Sequence, residues 1–111
     1  MKKIYVCSLF VGEKLESSYK AMKCATYVAD NCNAIPICPQ VYFPAIGLYR
    51  ETPDGYCKEA SLELLRLCDE LWYFGDGVTK DMVEAILLAQ ELGIPVKHIP
   101  DWDEASEIGG K

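Results

Sequence analysis

The chain has 111 residues, of which 50% are hydrophobic and 25% charged, and these proportions are typical of one ordinary globular domain. Its formal net charge of -6 opposes contact with phosphate backbones, which excludes duplex nucleic acid as a partner. No apolar run approaches the roughly 20 residues that span a bilayer, so we expect no membrane partner.

The first half of the chain predicts two strands separated by a helix. Lys3 to Phe10 is a nearly continuous apolar run, which is typical of a strand covered on both faces. Residues 34–38 predict a second, short strand in which Pro36 limits the ladder bonds. Residues 40–51 predict an irregular, aromatic loop. Residues 13–31 between the strands show helical spacing, with a buried face of Leu15, Tyr19, Met22, Ala25 and Ala29.

The second half of the chain predicts two helices and two more strands. Thr52 and Pro53 are typical of a helix start, and this helix runs to about Cys68. Residues 70–74 form a third apolar run, closed by a glycine turn at 75–77. Thr79 predicts the cap of the last helix, which ends at Gly93. Residues 95–99 then predict the fourth strand.

Strands and helices alternate along the chain, which predicts an α/β fold with a parallel sheet and helices on both faces. The helix over residues 79–93 is apolar over most of its girth. We therefore expect it to pack against a second subunit as well as the sheet, which makes the protein a homo-oligomer. Its apolar residues are Met82, Ile86, Ala89 and Leu92 on one side and Val83, Leu87 and Leu88 near the other.

The six cysteines show neither a redox nor a zinc spacing, and no cluster of side chains has the spacing of metal ligands. We expect reduced thiols, no metal and no cofactor. The basic start at Met1 is followed by too short an apolar run for a signal peptide, so we expect a cytoplasmic protein. Residues 101–111 predict an acidic tail beyond a domain over residues 1–100.

A binding site is expected where the predicted strands end, because ligands of open parallel sheets lie outside the carboxyl ends of the strands. Aromatic faces together with an amide and a carboxylate suit a flat heterocycle with sugar hydroxyls, and helix amino termini there suit a phosphate. The candidate ligand-binding residues are Ser8, Phe10, Gln40, Tyr42, Asp76 and Thr79.

Each candidate residue also has a structural interpretation. Asp76 lies between two glycines and suits a turn. Tyr42 and its neighbour suit a lid on the core, Gln40 suits a bond to loop backbone, and Ser8 suits a bond to the turn that follows it. The sequence contains neither a Walker loop nor a GxGxxG motif.

Four stretches of the sequence resemble the nucleoside 2-deoxyribosyltransferase-like superfamily, especially its small bacterial and phage-borne members. The resemblance implies a three-layer, flavodoxin-like (Rossmann-like) fold with a sheet of four to five strands in the order 2-1-3-4. It also implies a ligand related to nucleosides or nucleotides. The matching stretches are IYVCSLF, IPICPQVYFP, LLRLCDELWYFGDG and GVTKDMVEAILLAQELGIPV.

In the enzymes of that superfamily a helix glutamate attacks the anomeric carbon of the sugar. The matching position here is Ala85. We therefore favour a nucleoside- or nucleotide-binding domain over a catalyst. One alternative is an N-glycosidase or deoxyribosyltransferase that uses Glu84, Asp76 or an acid from a neighbouring subunit. Helical geometry turns Glu84 toward solvent. The other alternative is a non-catalytic, oligomeric interaction protein.

Overall fold

A computed structural model of the chain describes residues 1–8, 14–47 and 55–99. Within these residues lies a four-stranded, all-parallel sheet with the order β2-β1-β3-β4. This order and the helices on both faces confirm the predicted three-layer, flavodoxin-like α/β fold. The strands are β1 (Lys3–Ser8), β2 (Ile35–Ile37), β3 (Glu70–Phe74) and β4 (Val96–Ile99).

Helices cover both faces of the sheet. The described helices are α1 (Lys14–Cys32), α2 (Pro39–Ala45), α3 (Tyr56–Leu65) and α4 (Lys80–Glu91). Helix α1 packs on one face over Ile4 and Val6, and α3 and α4 pack on the other over Tyr5 and Cys7. Alternate residues of β1 thus serve opposite layers, as expected for a strand buried on both sides. None of the described helices is both long and apolar enough to cross a bilayer.

The predicted buried face of α1 is wrong. Tyr19 and Met22 are 54% and 49% exposed, whereas Ala21, Cys24 and Val28 are fully buried. The two apolar stripes lie about a third of a turn apart on the helix. The small side chains of the buried stripe let the helix approach the sheet closely, while Tyr19 and Met22 of the other stripe remain outside.

Residues 39–45 form helix α2, where the sequence analysis expects an irregular loop. Pro39 occupies the first helical position, which suits proline because no helical bond there needs its missing amide hydrogen. The amides of Val41 and Tyr42 both donate to the Cys38 carbonyl, at 3.0 and 3.2 Å. A helix of 7 residues is too short to reveal itself by hydrophobic periodicity.

The ends of α4 match the prediction, and those of α3 do not. The Thr79 hydroxyl accepts a hydrogen bond from the Met82 amide at 3.2 Å, and Gly93, with φ of 77°, follows the last turn. Helix α3 is preceded by Gly55 and ends at Leu65, before the expected end at Cys68. The expected cap at position 52 lies outside the described residues.

Strand β2 forms one edge of the sheet and has Pro36 at its centre. The Ile35 amide donates to the Lys2 carbonyl at 2.8 Å, so the backbone of the next residue faces away from β1. Proline has no amide hydrogen. Strand β2 therefore has no backbone N–H group that points away from β1 along this edge.

Charged side chains link β1 and β3 at the amino-terminal edge of the sheet. The Lys2 ammonium binds the Glu70 carboxylate, which also accepts a hydrogen bond from Trp72 Nε1 at 2.8 Å. The hydrogen bond from Lys2, and then that from Trp72, hold the pKa of Glu70 below its ordinary value. The Lys3 amide donates to the Asp69 carboxylate at 2.8 Å. An ion pair and a hydrogen bond thus join the starts of the first and third strands.

Candidate functional site

A cleft opens at the carboxyl edge of the sheet. The chain runs from β1 to β2 on one side and returns to β3 on the other, so the strand order reverses between β1 and β3. Parallel sheets bind ligands in the crevice at such a reversal. Side chains and backbone from β1, α2 and α4 line the cleft, among them Ser8, Gln40, Thr79, Asp81 and Ala85.

The Gln40 side chain completes the sheet at the end of β1. Its Oε1 accepts a hydrogen bond from the Ser8 amide at 2.8 Å, and its Nε2 donates to the Ser8 carbonyl at 3.2 Å. Strand β2 pairs with β1 only as far as Tyr5 and Ile37. The primary amide of Gln40 therefore takes the place of a further β2 peptide. The structural interpretation of Gln40 expected a bond to loop backbone, but the observed partner is the backbone of the last residue of β1.

The hydroxyl of Ser8 has no hydrogen-bond partner within residues 1–8, 14–47 and 55–99. Ser8 is 4% exposed, and among the described residues none forms a hydrogen bond with its side chain, although its backbone is paired. Ser61 is buried to the same degree, but its hydroxyl donates to the Cys57 carbonyl at 2.7 Å. An unpaired buried polar group costs about 1–3 kcal/mol. The Ser8 hydroxyl is thus available to a bound molecule at the cleft.

Helix α4 directs its amino end toward the cleft. Thr79, the cap, and Asp81, in the first turn, both line it. The helix dipole places partial positive charge at this end, and the carboxylate of Asp81 offsets that charge. This wall therefore suits an uncharged polar group better than a phosphate.

The enclosed part of the cleft is small. Its volume is about 20 Å³, which is room for one water molecule. A larger ligand therefore rests on the rim of the sheet and places a single polar group inside the cleft.

Two of the candidate binding residues do not lie in the cleft, and a third lies outside the described residues. Tyr42 is 56% exposed and lines a separate groove between α2 and α3. Asp76 is exposed in the turn after β3 and does not line the cleft. Phe10 lies outside the described residues. The structure thus brings together Ser8, Gln40 and Thr79, and it places Tyr42 and Asp76 elsewhere.

Glu84 does not line the cleft. Its carboxylate lies 3.0 Å from the Lys58 ammonium of α3, and 35% of its side chain is exposed. Ala85 is 4% exposed and lines the cleft. Helix α4 therefore presents a methyl group, not a carboxylate, to the cleft at this position.

Some residues of the cleft wall were not among the binding candidates expected from the sequence. Met82 and Ala85 are buried on the sheet-facing side of α4, as helical geometry predicts for residues three apart, and both line the cleft. Cys7 also lines the cleft, and its sulfur forms no disulfide bond. Within the described ranges, no group of three His, Cys, Asp or Glu side chains is arranged to hold a metal ion.

All six cysteines fall within the described ranges, and none of them forms a disulfide bond. Burial, and then the neighbouring Asp69 carboxylate, raise the pKa of the Cys68 thiol to about 11. This thiol therefore stays protonated at neutral pH and is a poor nucleophile.

The sequence of the chain matches the model of a known protein family. A family model described as a domain of unknown function (DUF7768) matches residues 2–99. The matched span contains every described strand and helix, from β1 to β4. No curated protein matches the chain.

Proposed function

The chain belongs to the DUF7768 family, and we propose that it binds a nucleoside or nucleotide at the carboxyl edge of its sheet. The resemblance of its sequence to the nucleoside 2-deoxyribosyltransferase-like superfamily suggests the class of ligand. The observation that carries the proposal is the Ser8 hydroxyl, which is buried at the strand reversal and has no hydrogen-bond partner among the described residues.

A sugar hydroxyl fits this position. It both donates and accepts hydrogen bonds, as the Ser8 hydroxyl does, and it is small enough for a cleft of about 20 Å³. The base would then lie across the rim of the sheet, outside the enclosed space. Because Asp81 offsets the charge of the helix end, the uncharged nucleoside is the favoured form of the ligand.

Thermal unfolding with deoxynucleosides, ribonucleosides and their monophosphates tests the proposal. A ligand that binds only the folded state at a hundred times its dissociation constant stabilises that state by about 2.7 kcal/mol. We expect the nucleosides to raise the melting temperature of the parent protein. Ser8→Ala should lose this rise but keep or increase the stability of the free protein, because it removes a buried hydroxyl with which no described residue forms a hydrogen bond.

Ser61→Ala is the matched control for this experiment. It removes a buried hydroxyl that is bonded to backbone within α3, so it should cost about 1 kcal/mol of stability and leave the ligand-induced rise intact. An equal rise in parent and Ser8→Ala would contradict the proposed contact. No rise with any compound would contradict ligand binding and favour the interaction-protein alternative.

The proposal does not include glycosyl transfer, because Ala85 stands where the resemblance places the nucleophile and Glu84 is paired with Lys58. We expect incubation with deoxynucleosides to release no more free base than buffer does, as measured by chromatography. Release that is lost in Glu84→Ala would instead support the alternative of an N-glycosidase or deoxyribosyltransferase. Release that survives in Glu84→Ala would point to another acid, such as one from a neighbouring subunit.

The cysteines also suggest the cellular compartment in which the protein works. Six cysteines that form no disulfide in a chain of 111 residues fit a reducing environment, in which disulfides are rare. We therefore propose that the protein works in the cytoplasm.

A further inference from the structure

We propose that α4 pairs with α4 of a second copy of this chain, in antiparallel orientation about a two-fold axis near the middle of the helix. The outer face of α4 carries Val83 and Leu87, which are 38% and 58% exposed. Residues four apart lie on the same side of a helix, one turn from each other. They form an apolar stripe that faces away from the sheet.

A charge of opposite sign lies at each end of this stripe. Lys80 begins α4 and Glu91 ends it, and both are exposed. They lie about 16 Å apart along the axis and within about 20° of one another around it. Among the described residues, neither side chain has a partner in an ion pair.

Both of these charges oppose the dipole of their own helix. A cation is unfavourable at the amino end of a helix, and an anion is unfavourable at the carboxyl end. In the single chain, Lys80 and Glu91 thus lie at the helix ends where the dipole disfavours their charges. Antiparallel pairing places Lys80 beside the partner's Glu91 and Glu91 beside the partner's Lys80, so each charge gains an opposite neighbour.

One alignment of the two helices brings the opposite charges together and also places the apolar stripes in contact. The midpoint between positions 80 and 91 falls within about one residue of the midpoint between 83 and 87, or less than about 2 Å along the axis. A two-fold axis at that point sets Leu87 against the partner's Val83. Such a contact is isologous, because each copy presents the same surface to the other.

The carboxylate that lies beside the apolar stripe is already part of an ion pair. Glu84 flanks Leu87, but its carboxylate is already bound to Lys58 at 3.0 Å. The contact therefore buries no unpaired carboxylate. Because the apolar area is limited, the dimer should be reversible and concentration-dependent, as small interfaces are. This inference does not rest on the proposed ligand.

Sedimentation velocity over a range of concentrations tests the dimer. The parent protein should shift from monomer to dimer as concentration rises. Leu87→Asp should raise the dissociation constant more than about tenfold, because both copies lose an apolar contact and gain a charge. Leu67→Asp is the matched control, since Leu67 is 67% exposed and lies outside α4; it should leave the dissociation constant unchanged.

A charge exchange tests the orientation of the two helices. Lys80→Glu and Glu91→Lys should each weaken the dimer, because each creates like charges across the contact. The double variant K80E/E91K should restore it, since the opposite charges face one another again. A parent protein that stays monomeric at every concentration would overturn the proposal, as would equal weakening by Leu67→Asp. A double variant no tighter than the single ones would overturn the antiparallel register.

Discussion

Replacing Gln40 with leucine is expected to lower the free energy of unfolding by about 2–4 kcal/mol. Leucine fills a similar volume, but it leaves the buried amide and carbonyl of Ser8 without the partners that lie at 2.8 and 3.2 Å in the native chain. Each unpaired buried group costs about 1–3 kcal/mol. Urea denaturation followed by circular dichroism measures the loss.

Asn31→Leu is the control for this variant. The Asn31 side-chain amide also donates to a backbone carbonyl, that of Tyr27, at 2.9 Å, but it is exposed. Water replaces that bond in the variant, so its stability should stay within about 0.5 kcal/mol of the parent. Similar losses in Gln40→Leu and Asn31→Leu would show that the Gln40 amide does not complete the sheet.

Phe74→Ala is expected to lower the free energy of unfolding by about 3–5 kcal/mol, the largest effect of a single substitution proposed for this chain. The ring is 1% exposed and packs edge-to-face on Tyr27, with 5.9 Å between ring centroids and an interplanar angle of 84°. Truncation leaves a cavity between β3 and α1 that the surrounding side chains fill only in part. Urea denaturation at constant m-value measures the change.

Tyr42→Ala removes another aromatic ring and is the control for Phe74→Ala. Tyr42 is 56% exposed, although its ring lies 5.3 Å from that of Phe43. We expect its loss to cost less than about 1.5 kcal/mol, since most of the ring already faces water. Equal costs for the two variants would contradict the assignment of Phe74 to the core.

The elements that could be predicted from the sequence are those with local signals. Strand β3 has the predicted bounds because its apolar run is flanked by a charged pair and a glycine turn. The limits of α4 follow from Thr79 and Gly93 for the same reason. The buried face of α1 has no such local signal, because the helix carries two apolar stripes and only packing against the sheet chooses between them.

The candidate site could be predicted in part. The proximity of Ser8 and Gln40 follows from topology, because parallel strands end at the same edge. The bond of Gln40 to Ser8 does not, since it depends on β2 ending at Ile37, and no residue type at that position marks the end. Tyr42 was assigned to the site on the expectation of a loop, and the helix that forms instead places its ring on another surface.

The proline of strand β2 limits how molecules of this protein can polymerise. A strand of another molecule that approached this margin would receive no hydrogen bond from Pro36, because proline has no amide hydrogen. A strand added at this margin would therefore lack a backbone hydrogen bond that a regular edge strand supplies. Edge-to-edge pairing of folded molecules is therefore less favourable at this margin, which removes one route to aggregation.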